Sequence, residues 1–306
     1  MRKVLVTGAS GFIGNNLINY LQSKSLKIFP FSRELGMDYG KINSNYINNE
    51  NIDIIVHLAG KAHDLKKGYK ENDYFKANTD LTIGIFDAFL ISNAKTFLFF
   101  SSVKAVKDHL DNILTEEMEP DPITAYGKSK LTAEKYLLSK LKGTKKRIII
   151  FRPCMIHGPG NKGNLNLLYS VVSKKIPWPL GEYNNYRSFC SIHNLCFIVN
   201  EIICKQEIPS GIYNIADDDV VSTNRIIELI GISLNRKPMI LSINKNIIQF
   251  FTKLGDIIKL PLNSERLTKL TESYKVSNAK IKAAIGKNLP LSTEEGLLQT
   301  FQSFIM

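Results

Sequence analysis

The sequence predicts an α/β protein, with a doubly wound parallel sheet followed by a smaller and mainly helical domain. Short apolar runs alternate with amphipathic stretches through the first half of the chain, as in a parallel sheet covered by helices. This alternation breaks after Pro153, and the chain from Thr223 onward has mainly helical patterns. The length of 306 residues suits one large domain with a smaller one appended.

Each element of the sheet follows from an apolar run or from a helical period. The predicted strands are residues 4–6, 27–31, 52–58, 96–100 and 147–151, and the predicted helices are residues 13–21, 78–91 and 128–141. The glycines and the proline at 158–160 predict a loop, and we expect an irregular segment from there to about Arg187.

A helix over 194–204 and a strand over 211–215 are expected to rejoin the main sheet. We therefore predict a first domain over residues 1–162, rejoined by about 190–216, and a discontinuous second domain over 163–306.

The composition is that of an ordinary globular protein, with 44% hydrophobic and 22% charged residues. No apolar run reaches the roughly 18 residues that a membrane span needs. The apolar start is broken at once by Gly8 and Gly11, which argues against a signal peptide, and we expect a cytoplasmic protein. The four cysteines form no Cys-x-x-Cys pair and have no histidine at zinc-ligand spacing, so no metal site is predicted.

The net charge of +12 is compatible with nucleic acid, an anionic membrane or an anionic small substrate. The basic residues are spread along the chain without a Cys/His finger or an aromatic RNA-binding motif, so we predict no nucleic-acid partner. Residues 246–262 combine isoleucines and phenylalanines with flanking lysines. We expect this stretch to pack inside the second domain or to form a homodimer contact, with a membrane contact as the less favoured alternative.

A glycine-rich turn joins the first predicted strand to the first helix. Gly8 permits the tight turn, Gly11 lets backbone amides approach a pyrophosphate, and Gly14 allows the helix to pack closely on the strand. Phosphates would lie at the helix N-terminus, where free N–H groups and the helix dipole favour anions. The turn predicts a Rossmann-type dinucleotide site at Gly8, Ser10, Gly11, Phe12, Ile13 and Gly14, although a purely structural turn stays open.

The end of the second strand bears on the choice between NAD and NADP. An NAD-specific site usually has an acidic residue there, whereas this chain has Ser32 and Arg33, with Glu34 one step beyond. A guanidinium suits the additional phosphate of NADP. Arg33 therefore favours NADP, with NAD and a solvated surface arginine as the alternatives.

A serine, a tyrosine and a lysine form the candidate catalytic set. Tyr126 and Lys130 lie one helical turn apart, and the ammonium is expected to lower the pKa of the phenol for proton exchange. Ser102 closes the strand over 96–100, at the edge where α/β sheets bind ligands, and can donate to the reacting oxygen. The same Tyr-x-x-x-Lys spacing occurs at Tyr20 and Tyr136, which we interpret as surface or packing pairs.

Together these residues resemble the extended short-chain dehydrogenase/reductase family, in its NAD-dependent epimerase/dehydratase group. Residues 7–14 resemble its TGxxGxxG motif, and Ser102, Tyr126 and Lys130 match its catalytic residues. The resemblance implies a nicotinamide cofactor, NADP or NAD, that contacts Leu58, Ala59, Gly60, Asn78, Tyr126, Lys130 and Pro153.

The second half resembles the segments with which sugar-nucleotide enzymes of this group hold a UDP-sugar. Arginine suits that role because its planar fork binds phosphate oxygens bidentately. The resemblance implies that the substrate contacts Lys104, Asn164, Leu180 and Arg187. Loop-forming polar residues and a surface arginine remain the alternatives.

The resemblance also restricts the reaction. Dehydratases of the group have an Asp-Glu pair directly after the catalytic Ser or Thr, and 3,5-epimerase/reductases have a cysteine there, whereas this chain has Val103 and Lys104. Of the reactions of this group, hydride exchange at a single carbon, C4 of the sugar, is then the one that the sequence predicts. We favour reduction of a UDP-4-keto-6-deoxy-N-acetylhexosamine in surface polysaccharide synthesis. A UDP-hexose 4-epimerase and a dinucleotide-binding sensor protein are the alternatives.

Overall fold

A computed structural model describes residues 1–61, 70–161, 163–258 and 263–305. Its strands are β1 (Arg2–Thr7), β2 (Leu26–Phe31), β3 (Ile54–His57), β4 (Thr96–Phe100), β5 (Arg147–Pro153), β6 (Met155–His157), β7 (Tyr186–Ser191), β8 (Gly211–Ile215) and β9 (Val220–Ser222). Its first six helices are α1 (Phe12–Gln22), α2 (Ser44–Asn49), α3 (Glu71–Tyr74), α4 (Leu81–Leu90), α5 (Ala125–Leu141) and α6 (Asn164–Ser173). The others are α7 (Ile192–Cys204), α8 (Thr223–Ser233), α9 (Lys245–Ile258), α10 (Ser264–Thr271), α11 (Ala279–Ile285) and α12 (Thr293–Gln302).

The main sheet is parallel throughout and has the strand order β2-β1-β3-β4-β5-β8. Thr7, at the end of β1, pairs with Phe31 on one side and with His57 on the other. The strand order reverses at β1, and a crevice opens at such a switch point beyond the carboxyl ends of the strands. The predicted doubly wound α/β fold is confirmed.

Side chains alternate between the two faces of the sheet and build a core on each. Val4 and Val6 of β1 pack with α1 and α7, whereas Leu5 faces α2, α4 and α5. The second core is rich in aromatic rings, with Phe86 and Phe89 of α4 against Phe97 of β4. Because both faces are covered, the strands are nearly continuously apolar.

The region after β5 is more regular than the sequence predicted. The expectation of an irregular segment up to Arg187 was wrong, because α6 begins at Asn164 and buries Leu165, Leu168 and Val172 on one face. A second sheet, ordered β6-β7-β9, was also missed, and two of its strands have only three residues each. Such short strands lack enough alternation to stand out in a sequence.

A third core supports the mainly helical part of the chain. Trp178 and Leu180 pack there with residues of α6, α8, α10 and α12. The predicted boundaries at 162 and 163 stay predictions. Within the described residues, every helix is too short or too polar to cross a membrane.

The packing of α1 on β1 predicts that residue 14 must be glycine. A Cβ there would lie 2.3 Å from the Gly8 carbonyl oxygen and 2.7 Å from that of Ala9. We expect Gly14→Ala to lower the free energy of unfolding by about 1–3 kcal/mol, since backbone must move. Chemical denaturation measures this.

Gly84 of α4 is the matched control, because a Cβ there meets no atom within 4 Å. Gly84→Ala should raise the free energy of unfolding by about 0.4–1 kcal/mol, since alanine restricts the unfolded chain. Equal stability of the Gly14→Ala variant and the wild type would contradict the close packing of α1 on β1.

Candidate active site

A buried histidine joins the strand ends that form the site. His57 Nδ1 lies 2.8 Å from Thr7 Oγ1, and its Nε2 lies 3.0 Å from Thr82 Oγ1. The Ala59 amide donates to Thr7 Oγ1, and the Thr82 hydroxyl donates to the Asn78 carbonyl oxygen. We call this chain of hydrogen bonds, from Ala59 through Thr7, His57 and Thr82 to Asn78, the histidine relay.

The donors and acceptors of the relay determine the form of His57. Because the Thr82 hydroxyl already donates elsewhere, His57 Nε2 must donate to it, and His57 Nδ1 must accept from Thr7. Burial, reinforced by the charge of Lys130, lowers the pKa of His57 to about 3. The imidazole is therefore neutral at physiological pH.

Asn78 positions the segment that follows β3. It lies in a wide helical turn of the π type over Phe75–Asp80, and such turns are frequent at functional sites. Its side chain accepts from the Lys61 amide at 2.7 Å, and donates to the Lys61 carbonyl oxygen and to Ser129 Oγ, each at 3.1 Å. Asn78 thereby ties the end of β3 to α5, which carries the catalytic candidates.

A cleft of about 550 Å³ opens at the switch point. It brings together seven predicted cofactor residues: Gly8, Ser10, Gly11, Arg33, Leu58, Ala59 and Gly60. Phe12, Ile13 and Gly14 form the first turn of α1 beside it, where helix amides lack intrahelical acceptors. The cleft fits a dinucleotide, because it offers helix amides for the phosphates and a guanidinium for a further anion.

Several residues that line the cleft were not among the predicted cofactor residues, and Tyr39 and Ser32 are two of them. The Gly8 amide donates to the Tyr39 hydroxyl at 3.2 Å, which places this phenol at the glycine-rich turn. Ser32 lines the same cleft and accepts from the Leu35 amide at 3.3 Å, which orders the turn that carries Arg33. Tyr39 follows no motif that the sequence reveals.

The catalytic candidates meet because two backbones approach closely. Ser102 begins a short 3₁₀ turn, Val103–Ala105, directly after β4. A Cβ on Gly127 would lie 2.3 Å from the Lys104 carbonyl oxygen, so only glycine lets the start of α5 reach this turn. The Ser102 hydroxyl hydrogen-bonds the Tyr126 phenol, so the structure brings these two predicted catalytic side chains together. The sequence predicted donation from Ser102 to the reacting oxygen of the substrate, and that role stays a prediction.

The expected lowering of the Tyr126 pKa was wrong, because the net shift of the phenol is upward. Burial raises the pKa of the Tyr126 phenol above its ordinary value of 10.0, and the hydrogen bond with Ser102 offsets this only in part. The Lys130 ammonium instead donates to the Phe100 carbonyl oxygen at 2.9 Å. The phenol is therefore protonated near neutral pH and suited to donate a proton.

Lys130 itself is strongly affected by its surroundings. Burial lowers its pKa to about 8, and the nearby charge of Glu134 counteracts part of that effect. Glu134 also accepts three hydrogen bonds from Arg152 of β5, from Nε to Oε1 at 3.0 Å, from Nε to Oε2 at 3.2 Å and from Nη2 to Oε2 at 2.6 Å. Glu134 follows Lys130 by one helical turn, a spacing that could have revealed it in the sequence.

Two of the predicted substrate residues come together beside Ser102. The Lys104 ammonium lies 4.2 Å from the centre of the Tyr274 ring and donates to the Asp108 carbonyl oxygen at 2.7 Å. Arg187 pairs with Tyr274 as a strand neighbour and donates to the Glu272 carbonyl oxygen at 2.9 Å. Burial lowers the pKa of both cations, and the charge of Arg187 contributes at Lys104.

The remaining predicted residues have different surroundings. Asn164 is exposed at the first position of α6. Leu180 is 2% exposed and its side chain packs in the third core, so only its backbone could contact a ligand. Pro153 is buried at the end of β5, on the same edge of the sheet as Ser102. The binding roles of these three residues stay predictions.

A model of the NAD dependent epimerase/dehydratase family matches residues 4–216. The chain belongs to this family. It is therefore an enzyme of an NAD-dependent family, as the sequence predicted.

Two relatives align with most of the chain. It is 29% identical to UDP-glucose 4-epimerase of Vibrio cholerae over 320 residues, which covers 99% of this chain and 96% of that protein. It is 27% identical to N-acetyl-alpha-D-glucosaminyl-diphospho-ditrans,octacis-undecaprenol 4-epimerase of Escherichia coli O157:H7, with 76% and 73% covered.

Solved structures agree in fold. UDP-glucuronic acid 4-epimerase from Bacillus cereus superposes with a TM-score of 0.77 at 18% identity, covering 99% of this chain and 98% of that one. The structure of RMD from Pseudomonas aeruginosa gives a TM-score of 0.75 at 19% identity, covering 99% and 98%. At these identities the likeness shows the fold alone.

The histidine relay predicts how stability depends on pH. Between its ordinary pKa of 6.5 and its lowered pKa of about 3, His57 is protonated in the unfolded chain and neutral in the folded one. Its contribution to stability is therefore complete above pH 6.5 and is lost as the pH falls towards 3. In this window the wild type should lose about 1.4 kcal/mol more per pH unit than His57→Gln.

Urea unfolding of both proteins at several pH values measures the difference. Parallel stability curves below pH 6.5 would show that His57 is not held neutral.

The hydrogen bond between Ser102 and the phenol predicts that Tyr126 transfers the proton. Tyr126→Phe should lower kcat by about 10²–10⁴-fold, because only the hydroxyl is removed, while the dissociation constant of the cofactor stays nearly unchanged. Steady-state kinetics and a fluorescence titration with the cofactor check both values.

Tyr136→Phe is the matched control, since Tyr136 has the same spacing to a lysine but donates to Asp87 on the surface, at 2.7 Å. Its kcat should equal that of the wild type. A larger loss in this variant than in Tyr126→Phe would refute the assignment.

Proposed function

We propose that this enzyme exchanges hydride at C4 of a UDP-hexose, in the direction that reduces a UDP-4-keto-6-deoxy-N-acetylhexosamine. The observation that carries the proposal is the hydrogen-bonded pair of Ser102 and Tyr126 beside a buried lysine, at the ligand-binding edge of the sheet. The phenol is protonated near neutral pH, as an ordinary tyrosine also is, and this is the state that reduction of a ketone requires.

Each side chain has a role in this reaction. NADPH would supply the hydride that reaches C4. Tyr126 would deliver its proton to the C4 oxygen, and Ser102 would donate a hydrogen bond to the same oxygen. Lys104 and Arg187 would hold the diphosphate, since Lys104 lies over the Tyr274 ring and Arg187 pairs with Tyr274, so the two cations are close to each other.

The choice of NADPH rests on Arg33. This residue is exposed and lines the cleft next to Ser32, where it could reach a phosphate on the adenosine ribose. The structures named above hold NADPH in RMD and NAD in the Bacillus cereus 4-epimerase, so the fold accepts either cofactor.

A 4-epimerase is the second candidate, and the relatives favour it. Both the Vibrio cholerae and the Escherichia coli proteins are named 4-epimerases. The same three side chains would serve, because epimerisation oxidises and then reduces the same carbon. The dinucleotide-binding sensor is disfavoured, since a sensor has no need of the tyrosine and lysine pair, and this chain has both Tyr126 and Lys130.

One pair of incubations separates the candidates. We expect the protein to consume NADPH when given the 4-keto-6-deoxy derivative of UDP-N-acetylglucosamine, as measured by nicotinamide absorbance. Arg33→Ala should lower kcat/KM for NADPH by about tenfold and change the value for NADH less, because one charged contact is lost.

The second incubation uses UDP-glucose and UDP-N-acetylglucosamine without added cofactor. Isomerisation at C4 in this second incubation, without NADPH consumption in the first incubation, would show that the enzyme is a 4-epimerase and would contradict the proposed reductase. If neither NADPH consumption nor isomerisation is observed, the dinucleotide-binding sensor becomes the favoured candidate.

A further inference from the structure

Helix α9 presents an apolar face to solvent. Ile247, Phe250, Phe251 and Leu254 follow the i, i+3, i+4, i+7 spacing of one helix face, and they are 50%, 66%, 55% and 39% exposed. The two phenylalanine rings contact each other edge to face, with centroids 5.7 Å apart. We call these four residues the α9 stripe.

The stripe is distinct from the face that holds α9 in the fold. Ile248 and Thr252, one turn apart on another side of the helix, are 5% and 2% exposed. Ile248 belongs to the third core together with Leu267 of α10. Packing of α9 is thus achieved without the stripe. The expectation for residues 246–262 was packing inside the second domain or a homodimer contact, and residues 259–262 lie outside the described residues.

The segment that carries the stripe has a positive net charge, although the Glu182 carboxylate accepts from the Lys245 amide at the start of α9, at 2.9 Å. Residues 236–269 contain seven Lys and Arg but only two Asp and Glu. Lys253 of α9 is exposed, and one of the two acidic residues, Glu265, is paired with Lys269. A second copy of this chain at this face would bring positive charges close to positive charges. An anionic lipid surface would instead attract the positive charges.

We propose that the α9 stripe docks the enzyme on an anionic membrane surface. With 14 residues, α9 is too short to span a bilayer, so it would lie in the plane of the interface with its phenylalanines among the acyl chains. The flanking lysines would remain at the level of the lipid phosphates, because their long aliphatic stems let the ammonium reach water.

Docking there would place the substrate side of the enzyme against the membrane. Helix α9 packs on α10, and Arg187 donates to the carbonyl oxygens of Lys269 in α10 and of Glu272 just after it. The cation assigned above to the substrate diphosphate is therefore held by the same helix pair that carries the stripe. The docking itself does not depend on which sugar is bound.

Vesicle sedimentation tests the proposal with the full-length protein. We expect binding to vesicles of phosphatidylcholine with phosphatidylglycerol, weaker binding to pure phosphatidylcholine, and weakening by salt. The double variant Phe250→Ser/Phe251→Ser should bind the anionic vesicles about tenfold or more weakly, since two exposed rings are removed. Both residues are exposed, so the unfolding midpoint should not fall.

Ile91→Ser is the control, because Ile91 is 77% exposed but lies at the end of α4 in the first domain. Its vesicle affinity should equal that of the wild type. The proposal is overturned if the wild type ignores anionic vesicles or if the double variant binds as well as the wild type. It is also overturned if analytical ultracentrifugation shows a dimer that the double variant dissociates, because a second copy would then cover the stripe.

Discussion

The site depends on one buried and neutral imidazole. His57 joins the end of β1 to the end of β3 and to the turn that carries Asn78, and each of its two nitrogens has a defined role as donor or acceptor. Burial of an imidazole costs free energy unless its nitrogens are hydrogen-bonded, so the relay stabilises the spacing of these three segments. The cofactor cleft and α5 are both built on that spacing.

Burial gives the two main catalytic candidates opposite pKa shifts. It raises the pKa of the Tyr126 phenol and lowers that of the Lys130 ammonium to about 8. Glu134 limits the shift at Lys130, and it holds Arg152 of the next strand at the same time. The protonation of Lys130 is thus coupled to the packing of α5 on β5. The ion pair between Glu134 and Arg152 lies one helical turn from Lys130.

Much of this arrangement could be predicted from sequence, because local spacing determines it. The glycine-rich turn, the strand over 96–100 and the pair of Tyr126 and Lys130 all follow from patterns within a few residues. The histidine relay could not be predicted, since Thr7 and Thr82 meet His57 only after the sheet forms. The predicted direction of the Tyr126 pKa shift was wrong for a similar reason, because the desolvation of the phenol depends on residues that are distant in sequence.

A crystal structure with the bound nicotinamide cofactor tests the central claim most directly. The relay should be intact, with the pyrophosphate on the first turn of α1 and the nicotinamide C4 within about 4 Å of the space in front of the Tyr126 hydroxyl. A cofactor bound away from the switch point, or a Tyr126 phenol turned out of the cleft, would contradict the account.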